Sequence, residues 1–387
     1  MLETRDAARP VALAPVEFKG SPRPTMGVEV ELQLVDAQTR DLCARAPDLL
    51  AALEDPVHFK PEVIASCVEV VTGVCDTAAD VRRDLAPRLA RLRAAAAARG
   101  VRLAATGTHP FARPAEQRIT DSDRYRRLLD SMQWPARSIV IFGLHVHVGV
   151  PTGARAVALV DALAAYIPHL LALTASSPFW CAEDTGLASV RAKIFEALPT
   201  AGLPPRLGDW NEFMRFLDAL RRAHSIESIR EVWWDVRPHP GFGTVEVRCC
   251  DAVNGLDGVV AVAALVQALV VWLGERLGDG GGAAEAAVPV PEWMVKENKW
   301  RAARHGMDAR LLTDTSGTVR PVRAEIEALL GALEPVAARL GGGAELAGVA
   351  RLLREAPSYA RQRQALAARG GLAGVVDALA DEFEGSF

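Results

Sequence analysis

The stretch Met26-Gly27-Val28-Glu29-Val30-Glu31-Leu32-Gln33-Leu34 alternates apolar and polar residues, and this alternation decides the fold. Side chains two residues apart on a β-strand point to the same face of a sheet. The apolar set therefore predicts a strand face in the protein core, and Glu29, Glu31 and Gln33 are expected on the opposite face. Such a strand is typical of an antiparallel sheet that is covered on one side.

Three more segments repeat this pattern, at residues 67–71, 142–150 and 244–248. Their polar positions hold Glu69 in the first segment, His145 and His147 in the second, and Glu246 and Arg248 in the third. Helical spacing predicts helices at 80–99, 153–175, 209–223 and from 321 onward. Because strands and helices do not alternate in a βαβ rhythm, the sequence predicts an α+β fold, with helices packed on one face of an antiparallel sheet.

Composition narrows the class of protein. The 387 residues carry a net charge of −4, which gives no general attraction to nucleic acid or to an anionic membrane. The charged N-terminus lacks a signal-peptide core, and the apolar stretch 259–273, interrupted by Gln267, is too short to span a bilayer. Six cysteines without C-x-x-C spacing suit a reducing compartment. We expect a cytoplasmic protein without nucleic-acid or membrane partners, with a flexible extension at 1–20 and a single domain at 21–387.

The polar face of the predicted sheet offers a set of groups that bind ions and phosphates. Glutamates at alternate positions of one strand stand about 7 Å apart. Hard cations such as Mg²⁺ take oxygen ligands, and without a cation so many neighbouring carboxylates would repel one another. A solvated sheet face explains any one of these strands by itself. Four strands together favour a ligand-binding face, with these residues on it: Glu29, Glu31, Glu69, His145, His147, Glu246 and Arg248.

Several motifs leave their interpretation open. His145 and His147 alternate on one strand and could bind zinc or iron, although no H-E-x-x-H motif accompanies them. Arg237 precedes a turn rich in proline and glycine, where it could bind a phosphate or form a surface salt bridge. Lys299, in a basic helix with two arginines, could reach a phosphate or a substrate carboxylate, or it could face solvent. The sequence has no P-loop and no G-x-G-x-x-G after a strand.

Six blocks in order resemble one known family, the bacterial carboxylate–amine ligases, also called glutamate–cysteine ligase type 2. The resemblance runs from about residue 24 to the C-terminus, and six ordered blocks make it specific. The blocks are Met-Gly-Val-Glu-Val-Glu-Leu (26–32), Gly-Thr-His-Pro-Phe (107–111), Gly-Leu-His-Val-His-Val-Gly (143–149), Trp-Asp-Val-Arg-Pro (234–238), Phe-Gly-Thr-Val-Glu-Val-Arg (242–248) and Asn-Lys-Trp-Arg-Ala-Ala-Arg-His-Gly (298–306).

This resemblance implies a glutamine-synthetase-like catalytic fold, in which a curved antiparallel sheet forms the active cleft. It also implies ATP and Mg²⁺ as cofactors. The implied metal ligands are Glu29, Glu31, Glu69 and Glu246; His147 would contact ATP or its metals, Arg248 the transferred phosphoryl group, and Arg237 a phosphate or the substrate. Many relatives read G-V-E-E-E at the first strand, whereas Val30 here replaces the middle glutamate and is expected to face the core.

The implied reaction joins glutamate to an amine such as cysteine through an acyl phosphate, in a homodimer or larger homo-oligomer. Three other hypotheses remain. A guanidino or amine phosphotransferase would release a phosphorylated product and ADP. A non-catalytic nucleotide- or amino-acid-binding protein would bind without releasing ADP. A histidine-dependent zinc or iron enzyme would retain a transition metal.

Overall fold

A seven-stranded antiparallel sheet organises the chain, in a computed structural model that describes residues 16–278 and 290–386. The strands run in the order β6-β7-β5-β1-β3-β2, and β4 pairs with the end of β1. In chain order they are β1 (Met26–Asp36), β2 (Phe59–Pro61), β3 (Cys67–Val71), β4 (Val101–Ala104), β5 (Gly143–Gly149), β6 (Val236–His239) and β7 (Thr244–Asp251).

Fourteen α-helices belong to the described part of the chain. They are α1 (Ala46–Leu53), α2 (Ala78–Ala97), α3 (Asp123–Met132), α4 (Trp134–Arg137), α5 (Gly153–Leu163), α6 (Ile167–Thr174), α7 (Arg191–Phe195), α8 (Trp210–Arg222), α9 (Leu256–Leu277), α10 (Glu292–His305), α11 (Val322–Arg339), α12 (Gly343–Arg354), α13 (Ser358–Ala368) and α14 (Leu372–Glu384). Short paired strands lie at Phe179–Trp180 with Glu183–Asp184, Ala201–Gly202 with Trp233–Trp234, and Arg310–Leu312 with Val319–Pro321. Four 3₁₀ turns lie at Pro114–Glu116, Ala164–Tyr166, Ile229–Glu231 and Gly306–Asp308.

The alternating stretch forms β1, as its pattern predicts. Its apolar side chains, Val30 among them, are buried in the core. On the other face, Glu29 lies opposite His145 of β5 and Glu31 lies opposite Glu69 of β3. The predicted α+β fold is therefore confirmed: one face of the sheet packs on helices and the other carries the polar set.

Helix α9 forms the centre of the layer behind the sheet. It packs against α2, α5, α11 and α12, and its residues join those of the strands in the main hydrophobic core. Helix α9 has 22 residues and is longer than the apolar stretch that the sequence analysis judged too short to span a bilayer. By length and composition, α9 and the 22-residue segment Gly153–Thr174 could each cross a membrane. Because 83% of the most apolar part of α9 is buried inside the protein, this helix has the surroundings of a core helix.

The other predicted helices are present with shifted ends. Helix α2 begins two residues early, where Thr77 and Asp80 form a capping box. The stretch 153–175 divides into α5 and α6, and Pro168 stands in the first turn of α6, where its missing N–H costs nothing. Residues 1–15 of the predicted extension lie outside the described residues. In residues 16–20, Lys19 N–H donates to the carbonyl of Pro240 at 2.9 Å.

A β-bulge interrupts β7. Arg248 and Cys249 together fill one position opposite β5, and both of their N–H groups donate to the carbonyl of Asp235, at 2.8 and 3.1 Å. The additional residue shifts the alternation of the strand. Cys250 consequently packs in the core, while Asp251 lies opposite Gly143 on the polar face.

Candidate active site

The polar face of the sheet lines one hollow of about 240 Å³. The seven side chains of the predicted ligand-binding set line it, and so does Arg237, whereas Gln33 lies outside it and donates to Thr106. Strand register explains the convergence, because Glu29 and His145 are direct cross-strand partners, as are Glu246 and His147. Other lining groups come from β2 and its following loop, from α3, and from the region of α7: Lys60, Glu62, Arg124, Tyr125, Arg191 and Phe195.

Three groups of side chains in this hollow have the geometry of a cation site. In each group the ligand atoms lie within 4.8 Å of one another. The groups are Glu29, Glu69 and His145; Glu29, His147 and Glu246; and Glu31, Glu62 and Glu69. Carboxylate oxygens supply most of these ligand atoms, and they are the ligands that Mg²⁺ prefers.

One end of the hollow is acidic, and the burial of its three carboxyl groups outweighs the nearby charges of Lys60, Arg124 and Arg191. Burial, with the charge of Glu62, raises the pKa of Glu31 to about 8. Burial also raises the pKa of Glu69 well above its usual range, and Glu29 and Glu62 add to that effect. The pKa of Glu62 rises through burial as well. Carboxyl groups that hold protons this strongly are suited to a divalent cation, which would replace the protons and satisfy the oxygens.

At the other end, carboxylates face cations. Burial alone would raise the pKa of Glu246, but Arg237 and Arg248 hold this pKa well below its usual range. Burial likewise opposes ionisation of Glu29, and His147 and the hydrogen bond from His145 outweigh it, so the pKa of Glu29 is also well below its usual range. These carboxylates are therefore ionised and available as ligands at neutral pH.

The two histidines differ in protonation. Burial, together with the charge of Arg248, lowers the pKa of His145 to about 4, and its Nδ1 lies 3.2 Å from Glu29 Oε2. Burial also disfavours the charged form of His147, but Glu246 and Glu29 outweigh it and raise its pKa. His147 Nε2 lies 3.3 Å from Glu29 Oε1, yet it has no aligned hydrogen-bond partner among the described residues. That nitrogen lies close to two carboxylates, since Glu246 Oε1 is 3.8 Å away from it.

The two predicted arginines have unlike surroundings. Arg237 donates to both oxygens of Glu246, at 2.7 and 3.2 Å, and to the carbonyls of Ile229 and Val232. These bonds make Arg237 a support for Glu246, and its contact with a phosphate or substrate stays a prediction. Arg248 also donates to Glu246 through Nη1, but its buried Nε has no hydrogen-bond partner within the described ranges.

Sequence reasoning missed Glu62 and Arg191. Glu62 follows β2, a strand of three residues that is too short to show a period. Arg191 opens the five-residue helix α7 and reaches the sheet face from outside it. A local pattern does not reveal either position, because each depends on how a loop folds over the sheet.

The basic helix α10 lies outside this hollow. Lys299 is 2% exposed and pairs with Asp235 and, at 2.7 Å, with Glu196. Lys299 therefore does not face solvent, and it makes no ligand contact in this hollow. The reason is that Asp235 precedes β6 and provides a buried partner that the helical spacing of α10 could not reveal.

Comparison with known proteins places this geometry in context. The model of the family "Glutamate-cysteine ligase family 2 (GCS2)" matches residues 25–378. A "Putative glutamate--cysteine ligase 2-1" of Frankia casuarinae is 48% identical over 95% of this chain and 97% of its own length. A "Putative glutamate--cysteine ligase 2" of Thermobifida fusca is 46% identical over 95% of this chain and 93% of its own.

Two solved structures share the fold at low identity. A glutamate–cysteine ligase of Francisella tularensis, in complex with AMP, has a TM-score of 0.70 at 13% identity and covers 95% of this chain and 90% of its own. A bifunctional glutathione synthetase of Pasteurella multocida has a TM-score of 0.60 at 14% identity, over 94% of this chain and 51% of its own.

Proposed function

The chain belongs to glutamate–cysteine ligase family 2, and on that premise we propose that it is an ATP- and Mg²⁺-dependent ligase that joins a substrate carboxylate to an amine. The observation that carries this proposal is the meeting of three possible cation sites in one hollow, with Glu29 and Glu69 each shared between two of them. Several cations held close together suit a substrate with several phosphate groups.

The residues of the hollow fit divalent cations by their chemistry. Glu29, Glu69 and Glu246 supply hard oxygen ligands, and His147 offers a nitrogen to one of the three groups. These residues would hold Mg²⁺, which would supply positive charge against the negative charge that develops during phosphoryl transfer. A tetrahedral zinc site rich in cysteine is not formed here, because the three groups contain carboxylates and histidines alone within the described residues.

The reaction that these residues would support has two steps. A carboxylate oxygen attacks the γ-phosphorus of ATP, the bond to the bridging oxygen breaks, and ADP leaves. The amine then attacks the acyl phosphate, forms an amide, and releases phosphate and a proton. In both steps Arg248 would stabilise charge on the transferred phosphoryl group, since Arg248 lines the hollow and its side chain has an N–H without a hydrogen-bond partner among the described residues. Arg237 keeps Glu246 in place through two hydrogen bonds.

We propose L-glutamate and L-cysteine as the first substrate pair to test, because the similar proteins carry the name glutamate–cysteine ligase. The test measures ADP release with Mg²⁺ across pairs of amino acids and identifies each product by its mass. An amide with equal ADP and phosphate supports a ligase. A phosphorylated product without an amide would identify a phosphotransferase instead, and nucleotide binding without ADP release would identify a sensor.

A variant ties the activity to this hollow. Glu246→Gln keeps the shape of the side chain and removes its charge, so ADP release should fall roughly 100-fold or more. Glu116→Gln is the matched control, because Glu116 is an exposed glutamate outside the hollow. Normal ADP release by a folded Glu246→Gln protein would contradict the proposed site.

A further inference from the structure

Arg191 is a buried cation that lines the hollow and has no role in the reaction proposed above. It is 3% exposed, and its Nε has no hydrogen-bond partner among the described residues. Its Nη2 makes one long bond, 3.4 Å, to the carbonyl of Arg248. A guanidinium carries five N–H donors, and leaving them unpaired inside a protein is unfavourable. The side chain therefore has capacity for an anion in the hollow.

Asp251 holds the backbone of Arg191 and forms a buried ion pair with its side chain that has no hydrogen bond. The Asp251 carboxylate accepts hydrogen bonds from Ser176 N–H at 2.9 Å, Ser177 Oγ at 2.7 Å and Ser189 Oγ at 2.8 Å. Ser177 Oγ in turn accepts the N–H of Arg191 at 3.2 Å. The guanidinium itself stays 3.9 Å from Asp251. Asp251 thus positions the backbone of Arg191 and attracts its guanidinium without a hydrogen bond, so N–H donors of Arg191 stay available for a closer anion.

Gly143 makes room for this guanidinium. A Cβ atom at Gly143 would overlap Arg191 Nη2 and lie 2.9 Å from His145 Nε2. The position therefore needs glycine, because the planar end of Arg191 covers the strand there. The same strand position anchors Glu31, whose carboxylate accepts the N–H of Gly143. Arg191 consequently lies beside both the acidic end of the hollow and the backbone of Arg248.

We propose that Arg191 binds the reacting carboxylate of the acyl substrate and holds it next to Arg248. A guanidinium binds a carboxylate through two parallel hydrogen bonds, which fixes the orientation of the carboxylate as well as its position. Arg248 lies in the bulge opposite His145, two positions from Gly143 along β5, and would then meet the phosphoryl group that this carboxylate attacks. This inference rests on the proposed ligase function, since it assigns one substrate group within the same hollow.

Equilibrium binding tests the assignment without requiring turnover. Calorimetry would measure L-glutamate and L-glutamine binding in the presence of Mg²⁺ and a non-hydrolysable ATP analogue. Arg191→Lys keeps the charge and loses the paired donors, so its affinity for L-glutamate should fall roughly 10- to 100-fold. Its affinity for L-glutamine and for the ATP analogue should change little, because neither depends on a bidentate contact with the side-chain carboxylate.

A second variant displaces Arg191 without altering it. Gly143→Ala introduces a methyl group that overlaps the guanidinium of Arg191 and also approaches His145 Nε2 at 2.9 Å, so both side chains must shift while the strand stays in place. The loss of L-glutamate affinity should resemble that of Arg191→Lys. Arg155→Lys is the matched control, since Arg155 donates to the carbonyl of Gly274 outside this hollow.

Three results would overturn the inference. The first is equal L-glutamate affinity of wild type and Arg191→Lys, including no detectable binding by either. The second is an equal loss for L-glutamate and L-glutamine, which would place Arg191 on the α-carboxylate. The third is loss of the ATP analogue with L-glutamate retained, which would place it on a phosphate. Wild-type protein that binds L-glutamate through Arg191 but releases no ADP would refute the ligase function alone.

Discussion

Replacing Glu31 by glutamine should stabilise the metal-free protein and at the same time weaken its response to magnesium. Burial and the neighbouring charge of Glu62 raise the pKa of Glu31 from 4.5 to about 8. Between these two values the folded state holds a proton that the unfolded state has released. The free energy of unfolding therefore falls as pH rises through this window. Glutamine does not titrate, and its oxygen can still accept the N–H of Gly143.

The size of the effect follows from the pH window. Each pH unit above 4.5 costs the wild type about 1.4 kcal/mol, which amounts to about 3 kcal/mol at pH 7 and under about 1 kcal/mol at pH 5. Glu31→Gln should be more stable than wild type by these amounts when both are free of metal. Urea unfolding of EDTA-treated proteins at the two pH values measures the difference.

Magnesium should reverse the order of stability. A ligand that binds only the folded state stabilises it by about 2.7 kcal/mol at a hundred times its dissociation constant. Wild type should gain this stability from Mg²⁺ with an ATP analogue, and Glu31→Gln should gain much less because one ligand is gone. The exposed Glu116→Gln should behave as wild type in both states. A less stable metal-free Glu31→Gln protein would contradict the raised pKa of Glu31, and an unchanged magnesium response would refute the assignment of Glu31 to a cation site.

Three other outcomes are expected. His109→Gln should make the free energy of unfolding less dependent on pH. Burial lowers the pKa of His109 from 6.5 to about 4, so between pH 7 and pH 5 only the unfolded wild type gains a proton there, which costs the wild type about 2 kcal/mol of stability. An unchanged pH slope in urea unfolding would contradict this. Lys299→Met should cost about 3–5 kcal/mol in urea unfolding, since it leaves buried Asp235 facing Glu196 without a cation, and a loss under 1 kcal/mol would argue against that pairing. Arg248→Lys should lower ADP release roughly 100-fold while the affinity for an ATP analogue changes less than tenfold, and an equal loss of both would assign Arg248 to binding.

The sequence predicted the sheet and the groups on its strands because a strand repeats every two residues. Alternation in residues 26–34 decides which side chains share a face, and no distant contact is needed to establish it. Once the antiparallel register brings β1 beside β3 and β5, Glu29, Glu69 and His145 must converge. The core position of Val30 follows from the same period.

The parts that the sequence did not predict depend on irregular backbone. Glu62 enters the hollow from a loop, and Arg191 enters from the start of a short helix that Asp251 anchors through Ser177 and Ser189. Asp251 reaches the polar face only because of the bulge in β7. A bulge adds one residue without any signature in the alternation, so the phase of the strand after Arg248 was not predictable from the sequence.

The charges of the hollow favour one class of ligand over its competitors. Its acidic end holds Glu31, Glu62 and Glu69, whose pKa values burial raises in spite of nearby cations. Its other side holds Arg191 and Arg248, whose buried Nε atoms lack acceptors among the described residues. A transition metal would bind the carboxyl groups alone, and a free amino acid would pair chiefly with the guanidinium groups. A triphosphate bound with divalent cations pairs with both, since the cations meet the carboxylates and anionic oxygens meet the guanidinium groups. One hollow therefore combines buried carboxyl groups with guanidinium groups that lack acceptors, and this combination is the physical reason to test ATP with Mg²⁺ before any other ligand.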